Sequence, residues 1–150
     1  MADLKALCAE AGFAAVRTYI ASGNAILESR MSAPRIKATL ESALEERLGK
    51  PIGVHVRSAS ELADVLARNP FPRKAPDRTM AVFLERALGS DARDEMRGWR
   101  KEEVRLSGRE LFVHYPDGQG RSRLIIPQAK SGTARNMNTI AKLVELSGQR

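Results

Sequence analysis

Leu4, Leu7, Cys8 and Ala11 recur at i, i+3, i+4 and i+7, which predicts a short amphipathic helix. Gly12 follows as a left-handed stop, with Phe13 placed to pack back on the last turn. The period then drops to two: Val16, Thr18 and Ile20 alternate with Arg17 and Tyr19, a half-buried strand. Ser22-Gly23-Asn24 turns the chain, Asn24 suiting a positive φ, and Ala25 to Ser29 returns it as a hairpin. Ser32 caps a second helix that carries Ile36, Leu40, Ala43, Leu44 and Leu48 on one face and closes at Gly49. Ile52, Val54 and Val56 alternate as a further strand. Ser58 and Glu61 form a capping-box pattern before Leu62, Val65 and Leu66, and that helix ends before Asn69-Pro70.

Pro70, Pro72 and Pro76 read as a stiff linker. Beyond it, Met80 to Leu84 is a buried-looking strand, and Ser90-Asp91 opens a short helix through Trp99. Glu103 to Leu106 and Glu110 to Tyr115 flank the turn Ser107-Gly108-Arg109 as a second hairpin. The final helix places Met137, Ile140, Ala141 and Val144 on one face and Arg135, Thr139 and Lys142 on the other, with Thr133 as its N-cap.

The halves therefore run α-β-β-α-β-α and β-α-β-β-α, each most of a β-α-β-β-α-β unit. This predicts an α+β protein of two ferredoxin-like subdomains: residues 1–69, a Pro-rich linker at 70–78, and residues 79–150. The first lacks its opening, central strand, and the second shows no closing strand. The missing strand leaves an edge between 25–29 and 52–56 that must be filled. It can be filled from upstream of Met1, the favoured option, by self-association with another chain, or by direct pairing of those two segments.

At 43% hydrophobic and 29% charged the composition is globular. No apolar run reaches the roughly 20 residues of a membrane span. The N-terminus has no signal-peptide pattern, and Cys8 is the only cysteine, so a cytoplasmic setting is expected. The net charge of +7 favours acidic partners. Basic residues cluster twice: Arg68, Arg73, Lys74 and Arg78 around Asp77, and Arg121, Arg123, Lys130 and Arg135 with no acid among them.

Four blocks carry a family resemblance: Val16-Arg17-Thr18-Tyr19-Ile20-Ala21-Ser22-Gly23-Asn24, Asn69-Pro70-Phe71, the stretch from Ser107-Gly108-Arg109-Glu110 to Tyr115-Pro116-Asp117-Gly118, and Thr133-Ala134-Arg135-Asn136-Met137-Asn138-Thr139. Together they resemble the domain-of-unknown-function 1697 family of small, mainly bacterial proteins. The resemblance implies paired ferredoxin-like subdomains and carries no activity, cofactor or catalytic residue. It also implies a strand with a Gly-rich turn ahead of Met1, and a Trp where this chain has Met137.

The histidines, His55 and His114, have no Cys, Asp or Glu at ligand spacing, so neither a metal site nor a cofactor is predicted. A trio of Ser22, His114 and Asp117 lacks a nucleophile-elbow pattern. Gly118-x-Gly120-x-Ser122 lacks the third glycine of a dinucleotide fingerprint and reads as a hairpin exit. Lys130 and Arg135 at a helix start, where cations are disfavoured, ask for a compensating anion. The predicted anion site is therefore Arg121, Arg123, Lys130, Thr133, Arg135 and Asn136, with Ser22, Asn24, Tyr115 and Asn138 as secondary candidates. The function expected is non-catalytic binding of a phosphate-bearing ligand: a nucleotide, a sugar phosphate or an RNA backbone. The rival readings are a small enzyme with its site between the subdomains and an assembly protein without a ligand.

Overall fold

A computed structural model describes residues 2–19 and 23–148. The chain divides into two compact units, Met1–Ala59 with Glu145–Arg150, and Ser60–Val144. Both are α+β.

The first unit contains α1 (Ala2–Glu10), β1 (Ala14–Tyr19), β2 (Asn24–Glu28) and α2 (Ala33–Leu48). Gly12 turns left-handed at φ +96°, which lets Phe13 N–H donate to the Cys8 carbonyl at 3.1 Å. Phe13 is thereby buried with Leu7, Cys8 and Leu40, and burial pushes the Cys8 thiol up. β1 and β2 pair antiparallel, with a bulge between Ala14 and Arg17 where Ala15 takes φ +52°. The positive φ of the hairpin falls on Gly23 at +83° rather than on Asn24. Asn24 instead opens β2, buried, and donates Nδ2–H to the Tyr19 carbonyl at 3.1 Å. Ser32 accepts from Arg35 N–H and starts α2 as its composition predicts. Leu48 departs from the expected apolar face: it is 52% exposed, because the packed stripe runs through Ile36, Leu40, Ala43 and Leu44 only.

The expected strand at 52–56 does not form. Val54 joins the core of this unit, but its N–H donates to the Glu41 carboxylate at 2.9 Å instead of to a strand carbonyl. Val54 is satisfied by packing while its backbone N–H finds a side chain. Nor do 25–29 and 52–56 pair directly: among the described residues the sheet of this unit holds β1 and β2 alone.

The second unit contains α3 (Ala59–Ala67, whose first residue belongs to the other unit), β3 (Thr79–Phe83), β4 (Glu103–Ser107), β5 (Glu110–His114), β6 (Thr133–Asn136) and α4 (Met137–Ser147, counted here to Val144). Its sheet has the order β4-β5-β3-β6 with every pair antiparallel. Strand alternation sends Ala81, Phe83 and Phe112 to one face, where Val65 of α3, Met137 and Ile140 of α4, and Phe71 bury them. Val82, Leu84, Val104, Leu111, Val113 and Tyr115 take the other face, covered by Met96, Trp99, Leu124, Ile126 and Ala129.

Three expectations change here. Residues 70–78 are not a linker between compact units. Asn69 Oδ1 accepts Phe71 N–H at 2.9 Å, which seats the Phe71 ring in this core, so 70–78 leads directly into β3. The second half does have a further strand, β6. The connections of the sheet also differ from a split β-α-β unit: Ser90–Glu95 is a 3-10 helix, and 3-10 turns at Gln119–Arg121 and Pro127–Ser131 precede β6. No helix among the described residues is long and apolar enough to cross a membrane.

Candidate functional site: a cationic surface on the second unit

β6 rearranges the predicted anion site. Thr133 and Arg135 lie in this strand, opposite Phe83 and Ala81 of β3, and so do not stand at the start of α4. Asn136 is the cap: its Oδ1 accepts Thr139 N–H at 2.9 Å. Arg135 folds back on its own strand, donating to Thr133 Oγ1 and the Ala134 carbonyl, both at 2.8 Å. Its guanidinium is half-buried, and burial lowers its affinity for the proton. Lys130 sits in the last turn of the 3-10 helix Pro127–Ser131, the end where a cation is favoured. The helix-start argument for an anion therefore fails at both residues. Thr139, expected on the polar face of α4, is buried. Asn138 is exposed in its first turn, and Ser22 lies outside the described residues.

Arg121 and Arg123 find different company. The segment 97–98 is clipped to 123–125 by a pair of backbone hydrogen bonds, Arg97 N–H to Ile125 O at 3.0 Å and Ile125 N–H to Arg97 O at 2.6 Å. Gly98 makes the clip fit. It takes φ +80°, and a Cβ there would sit 2.0 Å from the Arg123 carbonyl oxygen. Leu124 and Ile126 turn inward to the sheet, so Arg123 and Ile125 turn outward, and Arg121, at the end of the 3-10 turn, is exposed too. Arg97 stands directly opposite Ile125 and shares that outer face.

Glu102 joins the same surface by accepting the Ser122 hydroxyl at 2.8 Å and Arg100 N–H at 2.8 Å. Partial burial alone would raise its pKa, but these donors and the Arg100 charge outweigh it and hold the carboxyl below its ordinary value. Arg100 and Lys101 are exposed beside it. The Tyr115 ring is buried under this region, and burial, with the Glu102 charge, pushes its phenol up. The surface thus gathers Arg97, Arg100, Lys101, Arg121 and Arg123 around one carboxylate. None of these five cations has an ion-pair partner within 4 Å among the described residues. Sequence proximity groups only Arg121 with Arg123 and Arg100 with Lys101. The clip that unites them with Arg97 had one weak signal, the glycine before Trp99.

Two other polar groups on β5 face the helix-covered side. Glu110 is 4% exposed and meets Arg68 Nη2 at 2.7 Å, while Arg68 also donates to Asp64 and to Ser107. His114, buried at the other end of β5, bonds Thr79 Oγ1 through Nδ1 at 3.1 Å and lies against Phe71. Burial first, then the charges of Lys74 and Arg78, lower its pKa against a pull from Glu103. Folding therefore favours the neutral imidazole. Stability from this group is fully present above the ordinary imidazole value, about 6.5, and is lost as pH falls below it toward the depressed folded value. Thermal stability is expected to fall between pH 7.5 and 5.5, and His114→Gln to flatten that fall. An unchanged pH profile would remove His114 as its source. Among the described residues, no group of three or more His, Cys, Asp or Glu side chains could hold a metal ion.

The sequence pattern of the family described as "Protein of unknown function (DUF1697)" matches residues 1–112. The chain belongs to this family. The match includes Arg97, Arg100, Lys101 and the Glu110–Arg68 pair of this DUF1697 protein, and stops before Arg121. No curated protein matches the chain. Its fold is similar to that of the conserved bacterial protein SP0830 from Streptococcus pneumoniae, with a TM-score of 0.80 at 20% identity over 99% of this chain and 89% of that one. At that identity the likeness concerns the fold.

Proposed function

We propose that this DUF1697 protein is a non-catalytic binder of a phosphate-bearing anion, held on the surface formed by Arg97, Arg100, Lys101, Arg121 and Arg123. One observation carries the reading: the backbone clip between 97 and 125 assembles cations from two distant segments with no acid paired to any of them. Exposed like charges repel, and a surface that keeps them adjacent is suited to a polyvalent anion. Lys130 extends the same covering segment. Arg135 and Thr133 contribute to the sheet rather than to the ligand in this reading. The order β4-β5-β3-β6 supports a ferredoxin-like origin for the second unit, and a single buried thiol supports a cytoplasmic setting.

Inorganic tripolyphosphate is the simplest probe. It is expected to raise the melting temperature of the wild-type protein, with the gain shrinking as salt rises. Arg97→Ala/Arg123→Ala should lose most of that gain, whereas Arg35→Ala, an exposed change on α2, should keep it. Equal gains in all three proteins would sink the assignment.

A further inference from the structure

Resting on that reading, we infer that the anion is the backbone of an extended single-stranded RNA, bound without base preference, rather than a mononucleotide or a sugar phosphate. The cations do not converge on a point. Arg97 stands opposite Ile125, Arg123 lies two residues back along that segment, and Arg121 closes the 3-10 turn before it. Such a row offers one guanidinium to each of several successive phosphates, whereas a single phosphate could use only one or two of them. Arginine predominates over lysine, which suits forked contacts to phosphate oxygens.

Base reading finds no platform here. Phe112 and Tyr115 are buried at 0% and 7% exposure, and the Trp99 ring is covered by the Arg93 guanidinium at 5.0 Å. Stacking of successive bases on aromatics is therefore unavailable, and the backbone is what remains to be held. Glu102 narrows the choice further. A carboxylate set among the cations adds nothing toward a bare polyphosphate or an anionic bilayer, but it accepts a hydrogen bond from a ribose 2′-hydroxyl. Ile125 is the one strongly exposed large apolar side chain described in this unit, too little for insertion into lipid.

The test is fluorescence anisotropy of the full chain at low salt with labelled oligouridylates of 2, 4, 8 and 12 nucleotides. Affinity is expected to rise by roughly 30-fold or more from 2 to 8 nucleotides as phosphate contacts accumulate. Uridine monophosphate at equal phosphate concentration should compete poorly. Arg97→Ala/Arg123→Ala should weaken the 12-mer by about tenfold or more and lower its salt slope by about 1.4, at 0.7 per lost contact. Oligodeoxyuridylate should bind several-fold more weakly, and Glu102→Gln should narrow that gap. Affinity independent of length, with the monophosphate competing mole for mole, would overturn the extended ligand and leave the anion surface standing. Equal binding of RNA and DNA would overturn the assignment to RNA. Binding to phosphatidylserine vesicles with none to RNA would replace nucleic acid by membrane. No binding of any of these, tripolyphosphate included, would overturn the anion surface itself.

Discussion

Arg68→Met is expected to cost about 3 kcal/mol of stability, at the lower end of what removing one partner of a buried ion pair costs. Glu110 is 4% exposed at the start of β5, and Arg68 Nη2 reaches it at 2.7 Å from just beyond the end of α3. Methionine fills the arginine stem's volume but leaves the carboxylate in the apolar flank of the sheet with a reduced set of donors. Arg68 also holds the β4–β5 turn through the Ser107 carbonyl and hydroxyl, so the same change loosens that hairpin. Its contact with Asp64 is more exposed and adds little. The double variant Arg68→Met/Glu110→Leu should recover much of the loss, because it removes the stranded charge together with its partner. Urea denaturation of the four proteins measures the cycle. A single-variant loss below about 1 kcal/mol would place the pair among surface bridges.

Gly98→Val should be comparably damaging, and for a different reason. A Cβ at this position would overlap the Arg123 carbonyl at 2.0 Å, and φ +80° is a conformation that β-branched residues avoid. Backbone cannot step aside as a flexible side chain can, so the clip must open. Leu124 and Ile126 then lose part of their packing on the second face of the sheet. A loss of about 3 kcal/mol corresponds to a fall in melting temperature of about 6–12 °C for a chain of this size. The tripolyphosphate gain should shrink in parallel, because Arg97 is no longer held opposite Arg121 and Arg123. A stable variant that binds normally would show that the clip positions nothing.

The helices and the two hairpins were legible because their periods are plain: Leu4, Leu7 and Cys8 for α1, Ile36 and Leu40 for α2, and Val104, Leu111 and Val113 for β4 and β5. What stayed hidden depended on partners far away in sequence. Thr133-Ala134-Arg135-Asn136 has almost no apolar signal, because an edge strand needs only one paired side and here shows the sheet a single Ala134. Residues 52–56 have the alternation of a strand, yet pairing is set by what lies beside them, and Val54 meets Glu41. The cationic surface was half legible. Arg121 and Arg123 are neighbours in the sequence, but their link to Arg97 is a tertiary bridge that no local pattern announces. Thr133 and Arg135 lie in β6, ahead of the helix start that their local sequence suggests.

The central claim, an anion surface built on the 97–125 clip, is tested most directly by titrating isotope-labelled protein with tripolyphosphate and following backbone amide chemical shifts. The account predicts salt-sensitive shifts confined to Arg97–Glu102 and Arg121–Ile125, with Thr133–Asn138 still. Shifts centred on Thr133–Asn138, or none at saturating probe, would contradict it.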